Sequence, residues 1–264
     1  MVETMKRRTK YQDIRIAVVN DLHVGSKYAI VPDNWKMIDG ESTAPQNAGA
    51  RYLWQKYQEY IEEFKKPDIL VVNGDAVDAQ QHLSHKREVW ATDPLDQIAL
   101  AEHLINMWEA KEIYVVYGTG FHVELEGLML ERILAKRISA RGVGWKLRQT
   151  FNTAICSFAH HVPVSKVSWQ YRTTPLAQQL VLDKLENEDQ PANLLVRSHA
   201  HYFAYAGFSN QLAVITPGFQ GQTPYGAKVS PEIKPKIGIV CVDVPSLTMN
   251  YRTADGPMLK MEKP

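Results

Sequence analysis

The sequence predicts an α/β protein, a sandwich of two sheets flanked by helices. Short apolar runs alternate with helix-like segments in the first half of the chain, and strand-like runs predominate in the second half. Hydrophobic residues make up 45% of the chain and charged residues 22%, which supplies enough apolar side chains for a buried core. No repeat or linker interrupts the pattern. We therefore expect a single domain over residues 1–264, with residues 1–12 as a flexible tail.

In the first half, three apolar runs predict buried strands and three periodic segments predict helices. The strands are Ile14 to Val19, Ile69 to Val72 and Ile113 to Tyr117, and the helices are 49–65, 94–110 and Glu124 to Ile138. Pro94 after Asp93 is typical of a first helical turn, and Gly142 lies just past the expected end of the third helix. Residues 25–48, rich in Pro, Gly, Asn and Ser, predict a long loop.

The second half predicts mostly strands, with one helix. The strands are expected within 145–158, 193–197, 202–216 and 236–252, and the helix at 175–188. Cys156 and Cys241 lie in apolar runs, which predicts buried free thiols and no disulfide. Free thiols are typical of a reducing compartment, so we expect a cytoplasmic protein.

Charge and hydropathy exclude some classes of protein. The formal net charge of +1 gives no overall electrostatic attraction that would favour a nucleic acid or a membrane surface as partner. The basic stretch Lys6 to Arg8 is followed by no apolar segment typical of a signal peptide. No window approaches the roughly 18 apolar residues of a membrane span, so we expect no membrane partner.

Polar clusters follow the predicted strands, at the point where each strand ends. In the first half these are Asp21-Leu22-His23, Asp75 to Asp78, and Gly118 to His122; in the second half they are His160-His161 and Ser198 to His201. Ligand sites of open α/β sheets lie beyond the carboxyl ends of the strands, so we expect these clusters to converge. Six of the nine histidines lie in them. Imidazole together with carboxylate suits Zn, Fe and Mn, which points to a metal centre.

Two of the clusters place ligand-type residues two positions apart. Alternate residues of an extended segment point the same way, so Asp21 with His23, and His199 with His201, are each expected to present two ligands to one ion. Each motif alone is a weak signal, since a lone Gly-Asp-x-x-Asp is often an Asx turn. Their joint occurrence, each after an apolar strand, favours the metal centre.

This order of motifs resembles the calcineurin-like metallophosphoesterase superfamily. The family pattern is Asp-x-His, Gly-Asp-x-x-Asp, Gly-Asn-His-Asp/Glu, a lone His, and Gly-His-x-His, and the resemblance runs from Asp21 to His201. It implies two mixed sheets in α/β/β/α layers and hydrolysis of phosphoesters by a hydroxide held at a dinuclear metal centre. The sequence Gly-Thr-x-x-His and the stretch Phe219 to Pro224 also resemble uncharacterised phosphoesterases of phages and prophages.

Carried over by position, the resemblance implies a role for each motif residue. Asp21, His23 and His201 would bind the first metal, His160 and His199 the second, and Asp75 would bridge the two. His161 is the alternative to His160. His122 and Asp78 would form the catalytic pair: His122 beside the leaving group as general acid or charge stabiliser, and Asp78 orienting it through its other ring nitrogen.

Three positions depart from the family pattern. Phe121 stands directly before the catalytic histidine, where the family has an Asn ligand, and a phenyl ring cannot ligate. Thr119 is the candidate replacement, directly or through a water. Ser198 replaces the Gly before His-x-His, a small change. Ala79 stands where protein Ser/Thr phosphatases of the family have a phosphate-binding Arg, which disfavours a phosphoprotein phosphatase.

The resemblance implies a metal-dependent phosphoester hydrolase with two divalent ions. Mn²⁺ is the expected metal, with Zn²⁺, Fe or Ni²⁺ as alternatives, and the second site is specified less firmly than the first. The alternative functions are a phosphomonoesterase, and a degenerate metal-binding scaffold without turnover. The oligomeric state is not predicted.

A phosphodiester substrate, such as a nucleic acid or nucleotide, is mildly preferred. The long loop and several aromatic residues offer stacking surfaces, although core packing is the alternative for these side chains: Tyr28, Trp35, Trp90 and Trp169. Candidate phosphate contacts, for which a solvated surface role is the alternative, are Arg172, His82 and His85.

Overall fold

The computed structural model describes residues 12–79, 88–162, 171–229 and 234–258. One mixed sheet consists of β1 (Ile14–Val19), β2 (Ile69–Asn73), β3 (Glu112–Val116), β6 (Gly142–Gly144), β12 (Lys236–Val244) and β13 (Thr248–Asp255). Its strand order is β13-β12-β1-β2-β3-β6. β1, β2, β3 and β6 run parallel, while β12 pairs antiparallel with both β1 and β13. Parallel pairing brings the carboxyl ends of β1, β2 and β3 to one edge.

A second sheet consists of β7 (Lys146–Phe151), β8 (Ala154–Ala159), β9 (Leu194–Arg197), β10 (Ala204–Phe208) and β11 (Gln211–Ile215). Its order is β10-β11-β9-β8-β7, with β8, β9 and β11 parallel. A two-stranded hairpin of β4 (Glu124–Leu125) and β5 (Leu128–Met129) stands apart from both sheets.

The helices either pack against a sheet or lie in the connecting loops. They are α1 (Ala48–Phe64), α2 (Pro94–Asn106), α3 (Gly120–Val123), α4 (Leu130–Arg137), α5 (Thr174–Glu186) and α6 (Pro224–Val229). Buried residues of α1, α2 and α4 share one apolar core with the six-stranded sheet, and α5 shares another with the five-stranded sheet. The layers are therefore helix, sheet, sheet and helix, and the expected α/β fold class is confirmed.

The period-2 pattern of β1 shows how one strand serves two layers. Ile16 and Val18 lie in the core between the sheets, whereas Ala17 and Val19 pack under the helices. Each of these side chains is at most 1% exposed. A strand segment buried on both faces needs an apolar residue at every position, which is why Ile16 to Val19 is an uninterrupted apolar run, whereas Arg15 lies at the exposed start of β1.

The helix predicted over Glu124 to Ile138 is wrong in its first half. Residues 124–129 form the β4–β5 hairpin, and α4 begins only at Leu130. The cause is the turn at Glu126 and Gly127, where both φ angles are positive (51° and 79°), as a two-residue hairpin turn requires. Gly142 begins β6 and does not end the helix; Ser139, with φ 54°, takes the left-handed position.

Most other expected elements are observed with shifted ends. The helix expected at 94–110 ends at Asn106, and Asp93 caps its start by accepting the N–H of Leu95. Cys156 and Cys241 are buried free thiols, as expected, and burial raises the pKa of each to about 12. The tail at 1–11 lies outside the described residues, as do His82, His85 and Trp169.

Candidate metal centre

The loops that follow the strands are joined to one another by backbone hydrogen bonds. Asp21 N–H donates to Gly74 O at 2.9 Å and His23 N–H to Asp75 O at 2.9 Å, so the loops after β1 and β2 run side by side. Ser198 N–H donates to His160 O at 2.9 Å, which joins the loops after β8 and β9 in the same way. The expected convergence of strand ends from both sheets is therefore observed.

The backbone is left-handed at many of the expected ligands. Positive φ angles occur at Asp21 (48°), His23 (42°), Asp75 (51°), His199 (69°) and His201 (48°). Non-glycine residues adopt this region rarely and at a cost, and such residues cluster at functional sites. The expectation that Asp-x-His and His-x-His are extended segments is therefore wrong. Both motifs follow strands as irregular segments in which the two ligand-type residues are left-handed.

Three expected first-site ligands form one group. The donor atoms of Asp21, His23 and His201 all lie within 4.8 Å of one another. His201 Nε2 is 3.2 Å from Asp21 Oδ1, and His23 Nε2 is 3.8 Å from the same oxygen. His23 is 1% exposed, and neither of its ring nitrogens has a hydrogen-bond partner among the described residues. A buried imidazole of this kind fits a metal ligand, because an unpaired buried polar group is otherwise costly.

Asp75 lies between the first group and the histidines of the other sheet. Its Oδ2 is 3.0 Å from His160 Nε2, 3.9 Å from His23 Nε2 and 4.0 Å from His199 Nδ1. This is the position that a bridging carboxylate requires. His160 Nδ1 donates to Asn73 O at 2.8 Å, which directs the other ring nitrogen, Nε2, towards Asp75.

A second group of donors lies on the far side of Asp75. The ring nitrogens of His160, His161 and His199 come within 4.8 Å of one another. His160 is buried, His199 is half-buried and His161 is exposed. Burial lowers the pKa of His161, and the neighbouring charges of His160 and His199 lower it further. The sequence treated His161 only as a substitute for His160, whereas the structure brings both to this group.

Thr119 contacts Asp75 beside this second group. Its N–H donates to Asp75 Oδ1 at 2.6 Å and its hydroxyl to Asp75 Oδ2 at 3.2 Å, and Oγ1 is 3.3 Å from His199 Nδ1. The Phe121 ring packs edge-on against His122, with centroids 5.0 Å apart. It is therefore Thr119, directly after Gly118, and not Phe121, that lies against the bridging carboxylate.

His122 and Asp78 form a close pair at the edge of the first group. His122 Nδ1 donates to Asp78 Oδ1 at 2.6 Å, and the His122 ring lies 4.6 Å from the ring of His23. The His122 side chain is 21% exposed, whereas Asp78 is 1% exposed. Burial lowers the pKa of His122, but the hydrogen bond to Asp78 and the charge of Asp75 raise it, and the net shift is upward. The pair can therefore hold a proton on a partly exposed imidazole beside the first group.

The electrostatics of the centre call for positive charge. Burial alone would raise the pKa of the Asp21 and Asp75 carboxyls. The pKa of each is nevertheless well below its ordinary value, because His201 and His160 lie beside Asp21 and His160 lies beside Asp75. The same carboxylates overcome the burial of His160 and raise its pKa to about 10. Two buried carboxylates surrounded by imidazoles fit divalent metal ions in both charge and donor type.

Sequence reasoning missed Glu131 because it placed this residue inside the predicted long helix. Glu131 is 0% exposed, and its two oxygens accept the N–H of Ala76 at 2.9 Å and of Gly118 at 2.7 Å. It therefore ties the loop that carries Asp75 to the loop that carries Thr119. The available signal was an acidic residue in a first helical turn, which becomes visible only once α4 is known to begin at Leu130.

Glycines allow these loops to approach closely. A Cβ on Gly74, whose φ is +90°, would lie 2.6 Å from His160 Cγ, and one on Gly118 would lie 2.9 Å from Asp75 Cα. Ser198, which replaces a family glycine, is accommodated because its hydroxyl accepts from Asn73 Nδ2 at 2.7 Å and bonds Thr216 at 2.8 Å.

Other expected contacts lie away from the donor groups. Trp35 and Trp90 pack against the apolar core, which favours the core-packing alternative for both. Tyr28 is half-buried. The Arg172 guanidinium lies 4.7 Å from the centre of the Tyr202 ring. Tyr202 directly follows His201 in the chain.

Comparison with protein families gives a match in the first part of the chain. Over residues 14–119 it matches the calcineurin-like phosphoesterase family. The matched segment contains the Asp-x-His and Gly-Asp-x-x-Asp motifs and ends at Thr119; the histidines from His122 onward lie beyond it. The chain thus combines a match to this family over its first part with candidate metal-binding clusters among the described residues.

Several solved structures resemble most of the chain at low sequence identity. A novel archaeal phosphodiesterase has a TM-score of 0.48 at 11% identity, over 91% of this chain and 100% of that one. A hypothetical protein from Pyrococcus horikoshii has 0.46 at 12%, over 92% and 89%. Vps29 from Entamoeba histolytica, complexed with Zn²⁺, has 0.41 at 11%, over 92% and 100%. Similarity at this level carries no argument about activity.

A search of curated proteins gives no match. Among the described residues, no helix combines the length and apolar character needed to cross a bilayer.

Proposed function

We propose that this chain is a calcineurin-like phosphoesterase, a metal-dependent hydrolase of phosphoesters with a dinuclear centre. The observation that carries the proposal is the position of Asp75 between two donor groups, with His160 Nε2 3.0 Å away on one side and His23 Nε2 3.9 Å away on the other. Asp21, His23, Asp75 and His201 would hold the first ion, and Asp75, His160 and His199 would bind the second.

The bound ions supply a water of lowered pKa as nucleophile and stabilise charge on the phosphoryl oxygens. The chain's own residues supply the proton. His122, held at 2.6 Å by Asp78 and partly exposed, would protonate the leaving oxygen. Asp78 acts through His122, because it fixes the tautomer and orientation of the ring.

We further propose that phosphodiesters are preferred over monoesters, with Mn²⁺ as the expected metal. The support is Ala79, a buried residue directly after Asp78, so this position offers no guanidinium to neutralise the second charge of a monoester dianion. A diester carries one charge and needs less compensation. The burial of Trp35 and Trp90 against the core removes part of the stacking argument for nucleic acids in particular.

The test is hydrolysis of bis-p-nitrophenyl phosphate and p-nitrophenyl phosphate, with Mn²⁺ and with chelator. We expect metal-dependent release of nitrophenol from both esters, faster from the diester. Asp75→Asn, purified in parallel, controls for contaminating phosphatases. Bound metal without hydrolysis of either ester would favour the alternative, a metal-binding scaffold. Faster hydrolysis of the monoester would overturn the diester preference alone.

A further inference from the structure

The second donor group lacks a ligand when it is counted from the expected residues. Asp75, His160 and His199 supply three donors, and the position of the family's Asn carries no amide in this chain. A structural or catalytic Zn²⁺ has at least four ligands, and three protein ligands leave the ion dependent on water. The question is which side chain occupies the fourth position.

We propose that His161 is a ligand of this second metal, together with His160, and takes the place of the missing amide. Its ring lies 5.1 Å from the His160 ring and 4.8 Å from the His199 ring, at interplanar angles of 75° and 69°. Nitrogens of the three rings come within 4.8 Å of one another, which is close enough for all three to reach one ion after a small adjustment. The inference rests on the dinuclear centre of the proposed function.

Chain geometry explains how two consecutive histidines can serve one ion. β8 ends at Ala159, so His160 and His161 are free of the alternation that a strand would impose. His160 is fixed by its bond to Asn73 O at 2.8 Å and is buried, whereas His161 is exposed at the mouth of the site. His161 therefore closes the ion from the solvent side, and His160 holds it from within.

Thr119 is the rival for the same position. Its N–H and hydroxyl are both engaged with Asp75, at 2.6 and 3.2 Å, so its role is to orient the bridging carboxylate. A neutral hydroxyl is also a poorer ligand than an imidazole for Zn²⁺, which prefers nitrogen and sulfur donors. We therefore assign Thr119 to Asp75 and His161 to the metal.

The assignment changes which metal the second position prefers. Asp21, His23, Asp75 and His201 offer two carboxylates and two imidazoles, which accommodate Mn²⁺. Three imidazoles with one shared carboxylate favour Zn²⁺ over Mn²⁺. The two positions of one centre would then differ in metal preference.

The test measures metal binding and not turnover. Chelator-treated wild type, His161→Ala, Thr119→Ala and the control His103→Ala are each titrated with Zn²⁺, and bound ions per chain are counted after dialysis. His103 is a suitable control because it is an exposed histidine on α2 that contacts Trp35. The same titration with Co²⁺ gives a visible spectrum that reports the number of nitrogen ligands.

We expect wild type and His103→Ala to bind two Zn²⁺ ions with equal affinity. Thr119→Ala should also bind two ions, but both about 10-fold more weakly, because Asp75 loses the hydroxyl and keeps the N–H of residue 119. In His161→Ala the second ion should bind at least about 100-fold more weakly, because losing even an outer partner of a ligand costs about 10- to 100-fold. Its Co²⁺ spectrum should lose the second component, while melting temperature without metal stays that of wild type.

Three results would overturn the assignment. They are two ions of unchanged affinity in His161→Ala, a single ion in wild type, and loss of both ions in His161→Ala, since the first site does not include this residue. These outcomes are separate from the fate of the proposed function. Wild type that binds two ions and hydrolyses neither nitrophenyl ester would defeat the hydrolase proposal and leave the His161 assignment standing.

Discussion

The carboxylate of Glu131 accepts the backbone N–H of Gly118 at 2.7 Å, and its other oxygen accepts Ala76 N–H at 2.9 Å. These two donors belong to different loops, one after β3 and one after β2. One buried side chain therefore holds the two loops together and supports the direct hydrogen bonds between Thr119 and Asp75.

Glu131→Ala is expected to loosen the centre without removing a ligand. It leaves two buried N–H groups without acceptors, each costing about 1–3 kcal/mol. We expect the free energy of unfolding to fall by about 2–6 kcal/mol, and metal affinity to fall by about 10-fold or more. Urea unfolding and metal titration measure the two effects. Glu186→Ala, an exposed residue at the end of α5, is the matched control and should change neither quantity.

The titration of Glu131 should appear in the stability of the metal-free protein. Burial raises the pKa of Glu131 from 4.5 to about 7, despite its two N–H donors. The folded state therefore holds the proton more tightly than the unfolded state. The contribution of this proton to the free energy of unfolding is on the order of 3 kcal/mol. It is complete below pH 4.5 and is lost as pH rises through about 7.

Urea unfolding with chelator, from about pH 5 to about pH 8, tests this dependence. Wild type should lose stability over this range relative to Glu131→Gln, whose side chain does not titrate. Parallel pH profiles for the two proteins would show that Glu131 stays ionised in the fold.

The fold was predictable because its central strands are buried on both faces and therefore read as apolar runs, as Ile69 to Val72 and the last four residues of β1 do. The order of the polar clusters likewise indicated which strand ends converge. The left-handed turns at Asp21 and His199 were not predictable, because neither residue type requires a positive φ and only the tertiary packing imposes it. The Glu126-Gly127 turn was hidden within a segment of helical periodicity.

Thr119 shows a limit of a different kind. When the family's Gly-Asn-His motif is aligned on His122, Phe121 takes the position of the Asn. When the motif is aligned on Gly118, Thr119 takes that position. The short helix α3 absorbs the two extra residues, and the structure supports the forward count. An insertion next to a motif residue cannot be placed from one sequence.

His122→Ala is expected to retain metal but to lose most turnover. The residue lies at the edge of the first donor group and is 21% exposed, so the ligand set is intact without it. A general acid contributes about 100- to 10,000-fold, and a loss of this order in kcat is expected. Asp78→Asn should cause a smaller loss, because it disturbs the orientation and tautomer of His122 and leaves the ring in place. Unchanged turnover in His122→Ala, with metal bound, would end the acid role.

Asp75→Asn is expected to lose metal and activity together. Asp75 faces both donor groups, so removal of its charge weakens both sites at once. The folded protein should persist, since Asn keeps the shape and can still accept the N–H of Thr119. Metal content and nitrophenyl ester hydrolysis are the measurements. A variant that keeps both ions and full activity would contradict the bridging assignment.

Gly74→Ala tests whether close packing of the loop after β2 against His160 supports metal binding. The added Cβ would lie 2.6 Å from His160 Cγ, at a φ of +90°. Gly40→Ala is the matched control, because Gly40 also has a positive φ (+74°) but has no heavy atom within 4 Å of the added Cβ.

The left-handed backbone should cost both variants about 1–2 kcal/mol. The crowded site should cost Gly74→Ala about 1–3 kcal/mol more, because the imidazole has no room to yield without leaving Asn73 O. Only Gly74→Ala should also weaken binding of the second metal, since a displaced His160 no longer points at Asp75. Equal stability losses and equal metal affinities in the two variants would show that His160 can move aside, and that the position of this ring is not what fixes the second site.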